Sequence, residues 1–135
     1  MATLNPYFTF YGKAGEAMKF YQSCFGGKLT VMTVKESPIA ATLPKEFQDS
    51  MMHAVLETGR LRIMASDVLD GRTLIRGNDV GLMLLCESEA ELRELFLKLQ
   101  EGGSVTTPIQ ATFWNALYAD ITDRFGVRWM LNFDR

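Results

Sequence analysis

Residues 14–30, AGEAMKFYQSCFGGKLT, and residues 90–106, AELRELFLKLQEGGSVT, carry one pattern twice. Phe20, Gly26, Gly27 and Thr30 of the first stretch match Phe96, Gly102, Gly103 and Thr106 of the second at one constant offset. Within the first, Ala14, Ala17, Met18, Tyr21, Cys24 and Phe25 recur at helical spacing and predict one apolar stripe; Leu92, Leu95, Phe96 and Leu99 predict another. A glycine pair follows each stripe, as a helix C-terminus favours. A repeat of this size implies that neither unit buries its sheet alone, so each must pair with its twin.

The segments around each helix complete the unit. Residues 4–11 are rich in aromatics and Thr and predict a strand, and 28–34 predict a second. Residues 36–50 contain Pro38 and Pro44 and no period, so they form a long connection of the kind that often covers a site. Residues 52–57 and 61–66 predict a hairpin about Gly59-Arg60, with the glycine supplying a positive φ. A polar linker at about 70–78 follows, and the order repeats. A strand at 80–86 leads to Ser88 and Glu91, a capping box that opens the second helix. A strand at 105–109, a loop at 111–115, and a hairpin of 117–122 with 127–133 across 123–126 close the chain.

The expected fold class is α+β in one domain, 1–135: two βαβββ units, about 1–69 and 79–135. One helix per four strands leaves one sheet face covered and the other free to curl around a cavity, with helices on the outer face of mixed sheets.

Composition narrows the partners. The 14 basic and 16 acidic residues are interspersed, so no basic stripe exists to neutralise phosphates, and nucleic acid is not expected. No apolar run approaches the roughly 20 residues that span a bilayer, and the first residues lack the layout of a secretory signal, so no membrane partner and a cytoplasmic location are expected. Cys24 and Cys86 form no C-x-x-C pair and read as small buried hydrophobes. The single histidine, His53, cannot by itself supply a His-rich metal site.

Strand alternation assigns faces. Leu61, Ile63 and Ala65 are uniformly apolar and suit the helix side, which leaves Arg62, Met64 and Ser66 on the concave side. A two-residue turn at Gly59-Arg60 would set Val55 beside Met64 and His53 beside Ser66. In the last strand Val127, Trp129, Leu131 and Phe133 form the core set, and Arg128, Met130 and Asn132 face the cavity. The expected ligand pocket is therefore Phe8, Val55, Met64, Ser66, Phe113, Trp114, Met130 and Asn132, a polarisable lining suited to a small, partly apolar or aromatic molecule. His53 is the candidate catalytic residue, as a general base or hydrogen-bond donor; the structural alternative is a histidine bonded to Ser66 or Asp67. Asp67 either orients His53 or starts the next turn. Phe113-Trp114 either closes over a planar ligand or packs between the units. Glu57 and Arg62 read as a solvated ion pair.

The run E-A-M-x-F-Y-x-x-x-F-G-G, M-H-A-x-L-x-x-G, L-x-I-M-A-S-D, F-W-N-A and D-R-F-G-V-R-W-M-L-N resembles the PhnB-like branch of the vicinal oxygen chelate superfamily, relatives of glyoxalase I, bleomycin-resistance proteins and extradiol dioxygenases. The resemblance covers nearly the whole chain and implies paired βαβββ units and a homodimer. Metal-dependent members hold a divalent ion with His or Glu, and the positions it implies fall here on Pro6, Met64, Val80 or Gly81, and Met130, which cannot bind a hard cation. No cofactor is therefore expected, although a divalent metal held by other residues stays open. The branch often carries the label 3-demethylubiquinone-9 3-methyltransferase, but the glycine pairs follow helices instead of opening them, so they make no Rossmann-type cofactor turn.

Three functions follow. The leading one is a protein or metal-independent enzyme that binds a small molecule in the cup between its units. The second is a lyase or dioxygenase with an atypical metal site using His53 with a partner chain's Glu46 or Asp49. The third is sequestration of an antibiotic without turnover.

Overall fold

The computed structural model describes all residues, Met1–Arg135, and divides into two compact units, Met1–Leu74 and Ile75–Arg135. The boundary lies inside the polar stretch 70–78. Unit one contains β1 (Tyr7–Phe10), α1 (Ala14–Phe25), β2 (Lys28–Thr33), β3 (Met51–Glu57) and β4 (Arg62–Asp67). Unit two contains β5 (Leu82–Leu85), α2 (Glu89–Leu99), β6 (Ser104–Ala111), β7 (Ala116–Thr122) and β8 (Arg128–Asp134). Each unit is a mixed four-stranded sheet of the same topology, β1-β4-β3-β2 and β5-β8-β7-β6, with the first and last strands parallel and the other pairs antiparallel. The fold class is α+β, and the helix stripes are its core-forming faces.

In unit one, Ala14, Ala17, Met18, Tyr21 and Cys24 are buried, along with Ala54, Leu56, Ile63 and Ala65 of the sheet. In unit two, Leu92 packs with Leu117, Ala119 and Leu131, and Leu95, Phe96 and Leu84 join them. Fully burying a Leu- or Ile-sized side chain stabilises by roughly 1.5–3 kcal/mol, so these facing rows set which side of each sheet is covered.

The two helices start differently. Ser88 accepts a hydrogen bond from the Glu91 N–H at 3.1 Å, while the Glu91 carboxylate accepts from the Glu87 N–H at 2.9 Å, one residue earlier than in a reciprocal box. Lys13, before α1, supplies no side-chain cap. Asp67, at the far end of β4, does so: one carboxylate oxygen accepts the Ala14 N–H at 2.9 Å and the other the Met51 N–H at 2.8 Å. Asp67 therefore neither orients His53 nor starts a turn, because both of its oxygens are used in joining α1 and β3 to β4.

The glycine pairs meet two needs, and Gly27, at φ 90°, meets both. Gly26 and Gly102 take φ of 74° and 75°, which turns the chain after the helix. A Cβ on Gly27 would lie 2.3 Å from the Glu57 carbonyl oxygen, and one on Gly103 2.2 Å from that of Thr122. The second glycine thus lets β2 and β6 start hard against a neighbouring backbone. Gly103→Ala is expected to lower stability by about 1–3 kcal/mol in urea unfolding. Gly59→Ala, where a Cβ meets nothing within 4 Å, is the matched control and should change it by less than ~0.5 kcal/mol. Equal effects at the two sites would refute the close-approach argument.

Several boundaries move. β1 and β5 are shorter than the predicted 4–11 and 80–86, and Leu4 and Val80 beyond them are exposed. β6 is longer than 105–109 and irregular, with register shifts between Val105 and Thr107 and between Thr107 and Gln110. Pro108 lies in it, tolerated because the strand is at an edge. The Gly59-Arg60 turn has two residues as predicted, but Gly59 does not take a positive φ. Thr58 closes it instead: its N–H donates to the Leu61 carbonyl at 2.8 Å and its hydroxyl accepts the Leu61 N–H at 3.2 Å. The long connection holds three single 3-10 turns, at Val34–Glu36, Ala40–Thr42 and Lys45–Phe47. The Gln48 amide ties it together by donating to the carbonyls of Ala40, Leu43 and Pro44.

Candidate functional site

In each unit the register decides which residues occupy the sheet face turned away from the helix. In unit one, Met64 of β4 stands between Tyr7 of β1 and Val55 of β3, with Thr30 of β2 beyond. The adjacent row holds Thr9 and Ser66, then His53 and Met32, with His53 one place past the paired Ala54 and Ala65. The His53 ring lies 6.4 Å from that of Tyr7 and makes no hydrogen bond to Ser66 or Asp67. The Glu57–Arg62 pair, 3.2 Å apart, is about half exposed on both sides and is the solvated pair the sequence implies.

Phe8 does not share this face. It pairs with Ala65, is buried, and its ring lies 5.8 Å from Tyr21 and 6.1 Å from Phe10, on the helix side. Strand alternation puts Phe8 and Phe10 inward and Tyr7 and Thr9 outward, so Tyr7 takes the place predicted for Phe8.

Unit two gathers more chemistry. Met130 of β8 lies between Met83 of β5 and Asp120 of β7, and Asn132 lies between Leu85 and Tyr118. In the turn before β7, the Phe113 and Trp114 rings meet edge-on at 4.9 Å, and Trp114 lies 6.2 Å from Tyr118. The Trp114 Nε1–H donates to Asn132 Oδ1 at 3.3 Å, while Asn132 Nδ2 donates to Asp134 Oδ1 at 3.0 Å. Asn132 is thereby oriented by an indole on one side and a carboxylate on the other.

Beside Met130, Arg128 closes a fork on Asp120, Nε to Oδ1 at 3.1 Å and Nη2 to Oδ2 at 2.6 Å. Asp120 is 5% exposed, an unusual place for a carboxylate without a partner. The Tyr118 hydroxyl reaches Asp120 Oδ2 at 3.5 Å. Burial first, then the Asp120 charge, push the Tyr118 phenol up, and the Asp120 hydrogen bond and charge hold Arg128 deeper in its charged form. The sequence reading placed Arg128 on this face but missed Asp120 and Tyr118. Their signal was the alternation in β7, where Leu117, Ala119 and Ile121 are apolar and Tyr118, Asp120 and Thr122 are not.

The cysteines offer no nucleophile. Cys24 is buried, and burial, with Glu91 nearby, pushes the Cys86 thiol up to about 11. The positions implied for a metal do not fit one. Met64 and Met130 present thioethers, Gly81 has no side chain and lies against Met130 Cε, and Pro6 precedes β1 with its carbonyl accepting the Met64 N–H. Hard divalent ions need carboxylate, imidazole or water oxygen and nitrogen donors, and no three His, Cys, Asp or Glu side chains converge. Asp49, in the long connection, is paired with Lys35 at 2.9 Å. No helix is long and apolar enough to cross a membrane.

A family model described as the glyoxalase/bleomycin resistance protein/dioxygenase superfamily matches residues 3–131. Protein YjdN of Escherichia coli K12 is 29% identical over 137 residues, 96% of this chain and 93% of that protein. The crystal structure of protein PA1353 from Pseudomonas aeruginosa, 37% identical, superposes with a TM-score of 0.88 over 99% of this chain and 98% of its own. The PhnB protein from Bacillus cereus, 23% identical, shares the fold with a TM-score of 0.77 over 98% of this chain and 99% of its own. Two βαβββ units of one strand order, matched through nearly all of both, place this chain in the glyoxalase/bleomycin resistance protein/dioxygenase superfamily.

Proposed function

We propose that this chain binds a small, partly apolar or aromatic molecule on the faces of its sheets turned away from the helices and does so without a divalent metal. The observation that supports it is the pair Met64 and Met130, thioethers on those faces at strand positions where a metal site would need imidazole or carboxylate. Methionine is flexible and polarisable, and it suits contact with an aromatic or apolar body. Around it stand the groups that orient a ligand: His53 and Ser66 in unit one, Trp114 and Asn132 in unit two. On this reading a ring nitrogen of His53 donates or accepts one hydrogen bond to the ligand.

Thermal unfolding with saturating Mn²⁺, Ni²⁺ or Zn²⁺, and with chelator, tests the metal-free part. The expected midpoint shift is under ~1 °C in each case, because an ion that does not bind the native state cannot stabilise it. A saturable upward shift reversed by chelator would sink the proposal and favour a metal-dependent lyase or dioxygenase. Mass spectrometry of the protein under non-denaturing conditions is expected to retain a small organic molecule carried through purification.

A further inference from the structure

We propose that the helix-free sheet face of unit two recognises an uncharged planar molecule through a carbonyl oxygen that accepts a hydrogen bond from Arg128. This rests on the small-molecule binding proposed above and specifies the chemistry of its ligand.

The fork to Asp120 occupies Nε and Nη2 of Arg128 and leaves Nη1 outside it, and the Tyr118 hydroxyl also interacts with the guanidinium. The Arg128 side chain is 33% exposed while that of Asp120 is 7% exposed, so a buried carboxylate pins a partly accessible guanidinium. A donor held in place before binding loses little rotamer freedom when an acceptor arrives.

Charge then selects the acceptor. Asp120 cancels Arg128. Because Asp120 already neutralises the guanidinium, a ligand carboxylate gains little net attraction there and meets the Asp120 charge beside it. A neutral carbonyl takes the remaining N–H without that cost. The flat body is provided for by Met130 and Met83, adjacent across β8 and β5, and by the Trp114 and Tyr118 rings.

The test uses the full chain and three probes of one shape: acetonaphthone, naphthoate and ethylnaphthalene, titrated while backbone amide resonances of β5, β7 and β8 are followed. Acetonaphthone is expected to bind about fivefold more tightly than either other probe, the worth of one net hydrogen bond. Because Arg128→Leu alone strands a buried carboxylate, the variant is Asp120→Leu with Arg128→Leu, its fold checked by near-ultraviolet circular dichroism. In it acetonaphthone and ethylnaphthalene should bind within about twofold of each other, the carbonyl having lost its donor. Equal binding of the three probes, tightest binding of naphthoate, or a carbonyl preference that survives in the double variant each overturns the inference while leaving small-molecule binding intact. No shift at these strands with any probe overturns the binding function itself.

Discussion

Asp123→Ala is expected to lower the free energy of unfolding by roughly 3–5 kcal/mol, the largest single-residue effect outside the hydrophobic core. Asp123 is 3% exposed, and its carboxylate serves three donors at once. Oδ1 accepts the N–H groups of Phe125 and Val127 at 2.8 and 3.1 Å, and Oδ2 accepts the Trp129 indole N–H at 2.9 Å. Its backbone also closes the hairpin, with the Asp123 N–H donating to Val127 and its carbonyl accepting from Gly126. Truncation leaves several buried donors without acceptors, and a buried polar group that loses its partner costs about 1–3 kcal/mol. Urea unfolding followed by circular dichroism measures the loss. Asp123→Asn keeps one acceptor oxygen but turns an amide toward at least one donor, so it should fall between wild type and Ala. A loss below ~1 kcal/mol for Asp123→Ala would show that water replaces the carboxylate, contrary to its burial.

Asp67→Ala should cost roughly 2–4 kcal/mol by the same physics acting over a longer chain distance. Its two oxygens hold the first N–H of α1 and the first N–H of β3, so removing them frays two elements that no local side chain caps. Amide hydrogen exchange provides the specific readout: protection at Ala14 and Met51 should fall together, before the rest of unit one. Protection retained at both amides would refute the assignment of Asp67 as their common acceptor.

These two aspartates show where sequence reasoning stopped. Asp123 lies in the D-R-F-G run and Asp67 ends A-S-D, and both runs helped to identify the family, yet neither signals that its carboxylate is a structural acceptor. Judged by its neighbours alone, Asp67 suggests a turn former or a partner of His53. Its actual partner Ala14 lies 53 residues away. The hairpin pattern predicts a positive φ at Gly59, but the Thr58 hydroxyl closes that turn without it. Phe8, a pocket candidate from sequence, alternates in step with Phe10 and lies on the helix side. The Asp120–Arg128 fork went unread because it joins alternate residues of two strands, and only the register brings them together.

The repeat, the two helix stripes, the hairpins and the faces of β4 and β8 were legible from residue order, because periods of two and of three to four report burial directly and need only neighbours within a turn or two. Which carboxylates are capped, which side chains meet Met130, and how Trp114 comes to hold Asn132 depended on strands far apart in the chain being laid side by side. A hydrogen bond is governed by distances and angles of tenths of an ångström, and no spacing along a one-dimensional string encodes those.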